Sequence, residues 1–233
     1  MTALNKTFTV PGGKQVEVLK DFNASFPEHS IVILLGKSGC GKTTLIRIIA
    51  GLESYDSGEL QRPPLQKIGM VFQEPRLMPW LSVWNNIVFG IKKSKINKAA
   101  IESIIELTNL TGFENAYPHQ LSGGMQQRTA LARALVYNPE MILMDEPFAS
   151  LDYFIRETMQ NKLIEIHSAT GKSIVFVTHS VDEALILGHK IIVMGDGQVR
   201  KEYDLTGFSH PRDILSDELI TMKKDILLAI KSQ

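Results

Sequence analysis

The stretch Gly36-Lys37-Ser38-Gly39-Cys40-Gly41-Lys42-Thr43-Thr44 constrains this chain more than any other. It fits G-x-x-x-x-G-K-S/T and lies between an apolar run, Ile31 to Leu35, and a helical pattern that begins at Lys42. The run is short, β-branched and bounded by glycine, which predicts a buried strand. Behind the loop, Leu45, Ile48, Ile49 and Leu52 recur at helical spacing and mark one buried face. A triphosphate requires many donors converging without side chains in the way. Gly36, Gly39 and Gly41 let the backbone wrap closely, and the following helix adds the positive end of its dipole. Lys42 supplies a full charge for the β- and γ-phosphates, and the Thr43 hydroxyl is placed to ligate Mg²⁺.

Composition narrows the partners. With 25 Lys and Arg against 25 Asp and Glu, the chain has no basic excess, which disfavours nucleic acid as a partner. Cys40 is the single cysteine, so no internal disulfide forms and a reducing compartment is expected. A helix N-terminus can activate a thiol, but a small residue that fits the loop is the stronger reading of Cys40. The start of the chain has no long apolar segment, so a cleaved leader is not expected. No apolar run approaches the ~20 residues of a membrane helix.

Along the 233 residues, the first thirty alternate around Pro11-Gly12-Gly13 and predict an antiparallel β element. Ser57-Gly58 and Pro63-Pro64 are expected to break the pattern before an apolar strand, Ile68 to Phe72, that ends at Gln73. From Glu74 to about Val136 no strand-like run is seen. This section reads as a helical insert: a loop carrying Trp80 and Trp84, then a helix with Ile101, Ile104, Ile105 and Thr108 inward, broken at Tyr117-Pro118. A second helix starts near Ser122 and runs to Asn138-Pro139. Strands return at 141–144, 173–178 and 191–194, alternating with helices, and Gly195-Asp196-Gly197 turns into a final antiparallel strand. Such alternation predicts an α/β fold with a largely parallel sheet covered on both faces. Ser216 can cap a last helix whose stripe, Leu219, Met222, Ile226 and Ile230, is expected to pack on the body of the protein.

Two further stretches carry chemistry. Met141 to Met144 leads into Asp145-Glu146-Pro147, and parallel strands deliver their carboxyl ends to the crevice that holds the phosphate loop. Asp145 is therefore a candidate for the Mg²⁺ shell, and Glu146 for the base that orients an attacking water. Leu121-Ser122-Gly123-Gly124-Met125-Gln126-Gln127-Arg128 opens a helix with two glycines and a serine, a second anion-binding terminus.

These stretches, with Gln73, Ala149-Ser150-Leu151-Asp152 and His179, occur in the order and approximate spacing of an ATP-binding cassette ATPase. The resemblance covers essentially the whole chain. It implies a P-loop, RecA-like core over 1–73 and 137–233 that includes an N-terminal antiparallel β subdomain, with 74–136 as the inserted helical subdomain, all in one domain. It implies that Gly36 to Thr44 bind ATP and that Ser122, Gly123 and Gly124 cap the γ-phosphate of the ATP held by a second copy, packed head to tail. Asp152 would lie across that seam, Gln73 would touch Mg²⁺ and the water, and His179 the γ-phosphate. Phe8 is assigned to stack on adenine, with Val18 beneath the ring.

A narrower likeness, carried by Val71 to Trp80, by Asp145 to Asp152, and by Arg156-Glu157 and Met159-Gln160, points to the nitrate/sulfonate/taurine importer ATPases. In that family the segment after Gln73 and the insert receive a cytoplasmic helix of a membrane permease, which in turn works with an extracytoplasmic solute-binding protein. Trp80, Leu81 and Trp84 are candidate anchors, and Trp84 serves equally well as core of the insert. Three departures stand out: Met125 occupies a position where the pattern often has Gln, Ser180 follows His179 where Asp is common, and the stacking aromatic is Phe8 rather than Tyr, its alignment displaced by the Pro11-Gly12-Gly13 insertion. An exporter or lipid-moving cassette is the alternative within the class. A soluble ATP-driven clamp would bring coiled coils, a second cassette or basic arms, none of which is present. A regulator without turnover would not need Glu146.

Overall fold

The computed structural model describes residues 1–61, 67–149 and 151–231. The expected Pro63-Pro64 break and Ser150 lie outside them. The chain divides into two compact units, Met1–Gln66 with Ser173–Gln233, and Lys67–Lys172.

The first unit begins with β1 (Thr2–Thr9) and β2 (Gln15–Phe22), an antiparallel pair joined through the Pro11-Gly12-Gly13 turn. Between the pairs Lys6↔Leu19 and Thr7↔Glu17 the register slips, leaving Val18 as the extra residue of a bulge. Next come β3 (Ile31–Leu35), all five residues buried, α1 (Lys42–Ile49) and β4 (Ser57–Glu59). Ser57-Gly58, expected as a break, is instead a short edge strand antiparallel to β1. Gly58 sits at φ +103°, and a Cβ there would lie 2.2 Å from the Ala3 carbonyl oxygen, so the strand depends on this glycine. Three exposed polar residues carry no alternation that would have revealed it.

In the second unit, β5 (Ile68–Val71) precedes three helices, α2 (Val83–Ile87), α3 (Lys98–Leu107) and α4 (Gly123–Val136). Trp84, expected in a loop, lies on α2. Val83, Ile87, Ile101, Ile105, Leu110, Leu121 and Ala132 form the core of this helical section, with Trp84 and Ile104 packed against it. α3 stops well before Tyr117-Pro118. Asn109 takes a left-handed conformation at φ 52°, its N–H donates to the Glu106 carbonyl, and the Leu110 N–H donates to that of Ile105. This Schellman closure ends the helix locally, and Leu110 anchors it in the core. β6 (Met141–Asp145) pairs parallel with β5, and α5 (Tyr153–Thr170) follows with Met159, Leu163 and Ile166 buried.

The chain returns to the first unit with β7 (Ser173–Thr178), α6 (Val181–Leu187), β8 (Lys190–Gly195), β9 (Gln198–Asp204) and α7 (Asp217–Lys231). β7 and β8 flank β3 in parallel register, and β9 closes the edge antiparallel to β8. Leu219 and Ile226 of α7 are buried, and the helix packs on α6 and β8. Between β9 and α7, Arg212 donates to the carbonyls of Leu185, Gly188, Leu205 and Phe208 at 2.6 to 3.2 Å. Burial pulls its guanidinium pKa down to about 10. Among the described residues no helix is long and apolar enough to cross a membrane.

Candidate active site

In the first unit, Leu35 is in register with Thr178 on one side and Val193 on the other. Gly36 and His179 therefore leave neighbouring parallel strands side by side, the position at which such sheets bind ligands. Gly36 admits no side chain: a Cβ would lie 2.5 Å from the Met194 carbonyl oxygen and 2.7 Å from Cys40 Sγ. Gly41, at φ +102°, would press a Cβ to 2.8 Å from the Val18 carbonyl oxygen, so the bulged residue of β2 abuts the loop.

Lys37, Ser38 and Gly39 are exposed, whereas Lys42 is buried and turned into the loop. Its Nζ donates to the carbonyls of Gly36 at 2.8 Å and Lys37 at 2.9 Å. An ammonium held by neutral carbonyls, with the first turn of α1 lacking any side-chain cap, forms an electropositive cradle of backbone N–H groups. Thr43 and Thr44 sit half-buried in that turn. Cys40 is buried, which pushes its thiol pKa up against the opposing pull of Lys42. This environment favours the neutral thiol, in keeping with a small residue that fits. Phe8 is half-buried opposite Val16, with the Lys6 ammonium 4.7 Å from its ring centre.

His179 is exposed, and Ser180 caps α6 by accepting from the Glu183 N–H at 3.3 Å. The serine that departs from the common Asp thus performs the capping an Asp would provide.

In the second unit, Val71 and Met144 are paired, so Gln73 and the Asp145-Glu146 pair emerge from the same end of β5 and β6. Asp145 is buried. Glu146 is half-buried with a left-handed φ of 44°, rare for a side chain of its size and a mark of local strain. The exposed Gln73 is braced by α4. Gln127 donates to the Phe72 carbonyl at 3.2 Å, and Arg133 to those of Pro75 and Arg76 at 2.9 and 3.0 Å. These braces were not foreseen, because a helix-to-loop side-chain bond leaves no local pattern.

Ser122 caps α4 by accepting from the Met125 N–H at 3.3 Å. The two glycines behind it differ. Gly123 faces open space, whereas a Cβ on Gly124 would lie 2.8 Å from Ile155 Cγ2. Asp152 is exposed and caps α5, accepting from the Ile155 N–H at 3.1 Å, so Ile155 joins Asp152 to the glycine pair. Trp80 is 70% exposed. Its loop is held by Asn86, fully buried, which bonds to Met78, Leu81 and Ser82.

Among the described residues no cluster of three or more His, Cys, Asp or Glu side chains could hold a metal alone. Mg²⁺ takes few protein ligands and completes its shell with phosphate and water, so binding it does not require such a cluster.

A profile of the family described as ABC transporter matches residues 19–149. An ABC transporter ATP-binding protein of Methanocaldococcus jannaschii, MJ0412, is 42% identical, with 95% of this chain and 87% of that protein covered. A taurine import ATP-binding protein of Pelagibacter ubique is 44% identical over 87% of this chain and 81% of its own length. An aliphatic sulfonates import ATP-binding protein of Pseudomonas syringae is 43% identical over 90% of each. The ATP-binding cassette MJ0796, solved as a dimer in a post-hydrolysis state with ADP and Pi, superposes with a TM-score of 0.77 and 32% identity, covering 89% of this chain and 98% of its own. The architecture is accordingly the P-loop cassette fold, with parallel strands, an antiparallel β sheet and a helical section. The chain belongs to the ABC transporter family, as one of its ATP-binding subunits and an ATPase.

Proposed function

We propose that this ATPase powers import of a small sulfonate-like solute through a membrane permease, from the cytoplasmic face of the membrane. The observation that carries the nucleotide chemistry is Lys42, buried in its loop with its ammonium held at 2.8 and 2.9 Å by neutral carbonyls, partners that an anionic phosphate would replace with a charge-paired bond. The relatives named for taurine and aliphatic sulfonates support the solute class. Their import role also implies a solute-binding protein outside the membrane.

In this reading Gly36 through Thr44 wrap the triphosphate, with Phe8 and Val18 against the base. Thr43, Asp145 and Gln73 hold Mg²⁺, which neutralises charge on the transferring phosphoryl group when bound. Glu146, at the end of β6, accepts the proton of the attacking water. Gln73 orients that water and His179 contacts the γ-phosphate. Ser122, Gly123 and Gly124 of a second copy close over the same phosphate, with Asp152 at the seam. Trp80, exposed on a braced loop, anchors the permease, whereas Trp84 packs against the core of the insert. The expected domain division, 1–73 and 137–233 around a helical insert at 74–136, is retained as the functional division of this single domain.

Glu146→Gln tests the core of the proposal. It is expected to retain MgATP affinity, to lower phosphate release by ~10²–10⁴-fold, and to accumulate as a dimer at saturating MgATP. Normal turnover, or a monomer under those conditions, refutes the assignment. ATP-driven uptake of taurine or a short alkanesulfonate by vesicles carrying the complete transporter tests the solute class, and failure with both withdraws it.

A further inference from the structure

The strand end that presents His179 contains a buried polar relay with no place in the chemistry above. Thr178 and Glu183 are 2% and 6% exposed. The Ser180 N–H donates to Thr178 Oγ1 at 3.0 Å, and the Thr178 hydroxyl donates in turn to Glu183 Oε2. A hydroxyl has a single proton, so this arrangement satisfies it in one direction: amide to Thr178, Thr178 to carboxylate. Glu183 is fixed separately, because its own N–H is held by Ser180 Oγ at 3.3 Å in the first turn of α6.

His179 lies between the two ends of this relay. On its N-terminal side, the Thr178 backbone is locked in the sheet opposite Leu35, the residue before Gly36. On its C-terminal side, the Ser180 amide is tied back to the Thr178 side chain. Both peptides flanking an exposed histidine are therefore fixed to the framework that carries the phosphate loop. The usual capping box would send a Glu at this position directly to the Ser180 amide. Here a threonine hydroxyl is inserted between them, which ties the cap to the strand as well as to the helix.

We infer that Thr178 and Glu183 are positioning residues for His179: the relay holds the imidazole at the height of the γ-phosphate. The inference rests on the assignment of His179 to that phosphate. A positioned contact that strengthens in the transition state affects turnover more than ground-state binding.

The test uses the transporter complex with its permease. Thr178→Val removes the hydroxyl and keeps the shape. It is expected to lower kcat by about tenfold with KM for ATP changed less than about twofold, and Thr178→Ser is expected to restore kcat. Glu183→Gln, which keeps volume and a carbonyl acceptor for Thr178, is expected to fall between them and serves if Thr178→Val does not fold. In a His179→Ala background, Thr178→Val is expected to add nothing, because both act through the same ring. Unchanged kcat in both Thr178→Val and Glu183→Gln overturns the inference. So does an additive loss in the double variant, or a Thr178→Ser that fails to recover. If His179→Ala itself turns over normally, the fault lies with the assignment of His179.

Discussion

Asn86 offers the most quantitative test of how the exposed Trp80 loop is built. Its Oδ1 accepts from the Met78 N–H at 2.8 Å, and its Nδ2 faces the carbonyls of Met78, Leu81 and Ser82 at 3.1, 2.9 and 3.1 Å. Nδ2 has two protons for three acceptors, so one proton is shared and the side chain supplies roughly three full bonds. At about 1 kcal/mol net for each bond, Asn86→Ala is expected to cost ~3 kcal/mol. In a chain of this size that corresponds to a fall in Tm of roughly 6–12 °C. Because the bonds converge on residues 78–82, cleavage by a protease should increase there first. Asn86→Asp sharpens the test, since it keeps the acceptor but turns a carboxylate oxygen toward three carbonyls. Such a buried carboxyl has its folded pKa raised above the unfolded value. Its penalty is therefore largest at neutral pH and shrinks as pH falls through the folded pKa and the acid regains a proton to donate. The Tm gap between Asn86→Asp and wild type should narrow on acidification. A Tm within about 2 °C of wild type for Asn86→Ala, or no added cleavage at the loop, refutes this account.

Gly124→Ala is expected to cost ~1–3 kcal/mol by overpacking against Ile155, and Ile155→Ala should recover most of it in a denaturant titration of the double variant. Gly123→Ala, facing open space, should cost far less. Arg212→Met removes the donor shared by four carbonyls and is expected to lose ~1.5–3 kcal/mol or more; Arg212→Lys, with a single point of attachment, should not rescue it in the same titration. Lys6 holds the Glu53 carboxyl below its ordinary range at 2.8 Å, so this pair adds stability above the unfolded carboxylate pKa and loses it as pH falls through the lowered folded value. Glu53→Gln should therefore lower Tm at neutral pH and match wild type in strong acid; an equal gap at both ends excludes this linkage.

The sequence was most legible where a short stretch alone determines the outcome. Ile31 to Leu35 is apolar without interruption because it is buried between β7 and β8, and Gly36 and Gly41 in the loop that follows are required by atoms already in place. The Asp145-Glu146 pair was readable for the same reason, since strand and carboxylates are contiguous. The misses fall where the deciding partner is distant or unpatterned. β4 is an exposed polar strand specified by β1, more than fifty residues earlier. Prolines stop helices, so the sequence points to Tyr117-Pro118 as the end of α3, yet a left-handed Asn109 and the buried Leu110 close it earlier. Asn86, Gln127, Arg133 and Arg212 belong to one further class: each is a single polar side chain that satisfies the carbonyls of an irregular segment, and neither spacing nor composition marks it.

Ser180 shows how these two kinds of legibility meet at the site. By sequence it reads as the loss of a carboxylate beside His179. In the structure the hydroxyl caps α6, and a buried carboxylate is present three residues on, at Glu183, bonded through Thr178. Capping needs an acceptor at that position, and serine supplies it without adding a charge. The remaining requirement, a fixed backbone on both sides of the histidine, is met by register with Leu35 and by the threonine relay. An apparent departure in a motif is therefore best judged by what the replaced atom did. At Ser180 the capping function persists, and the nearest buried carboxylate, Glu183, is bonded to Thr178.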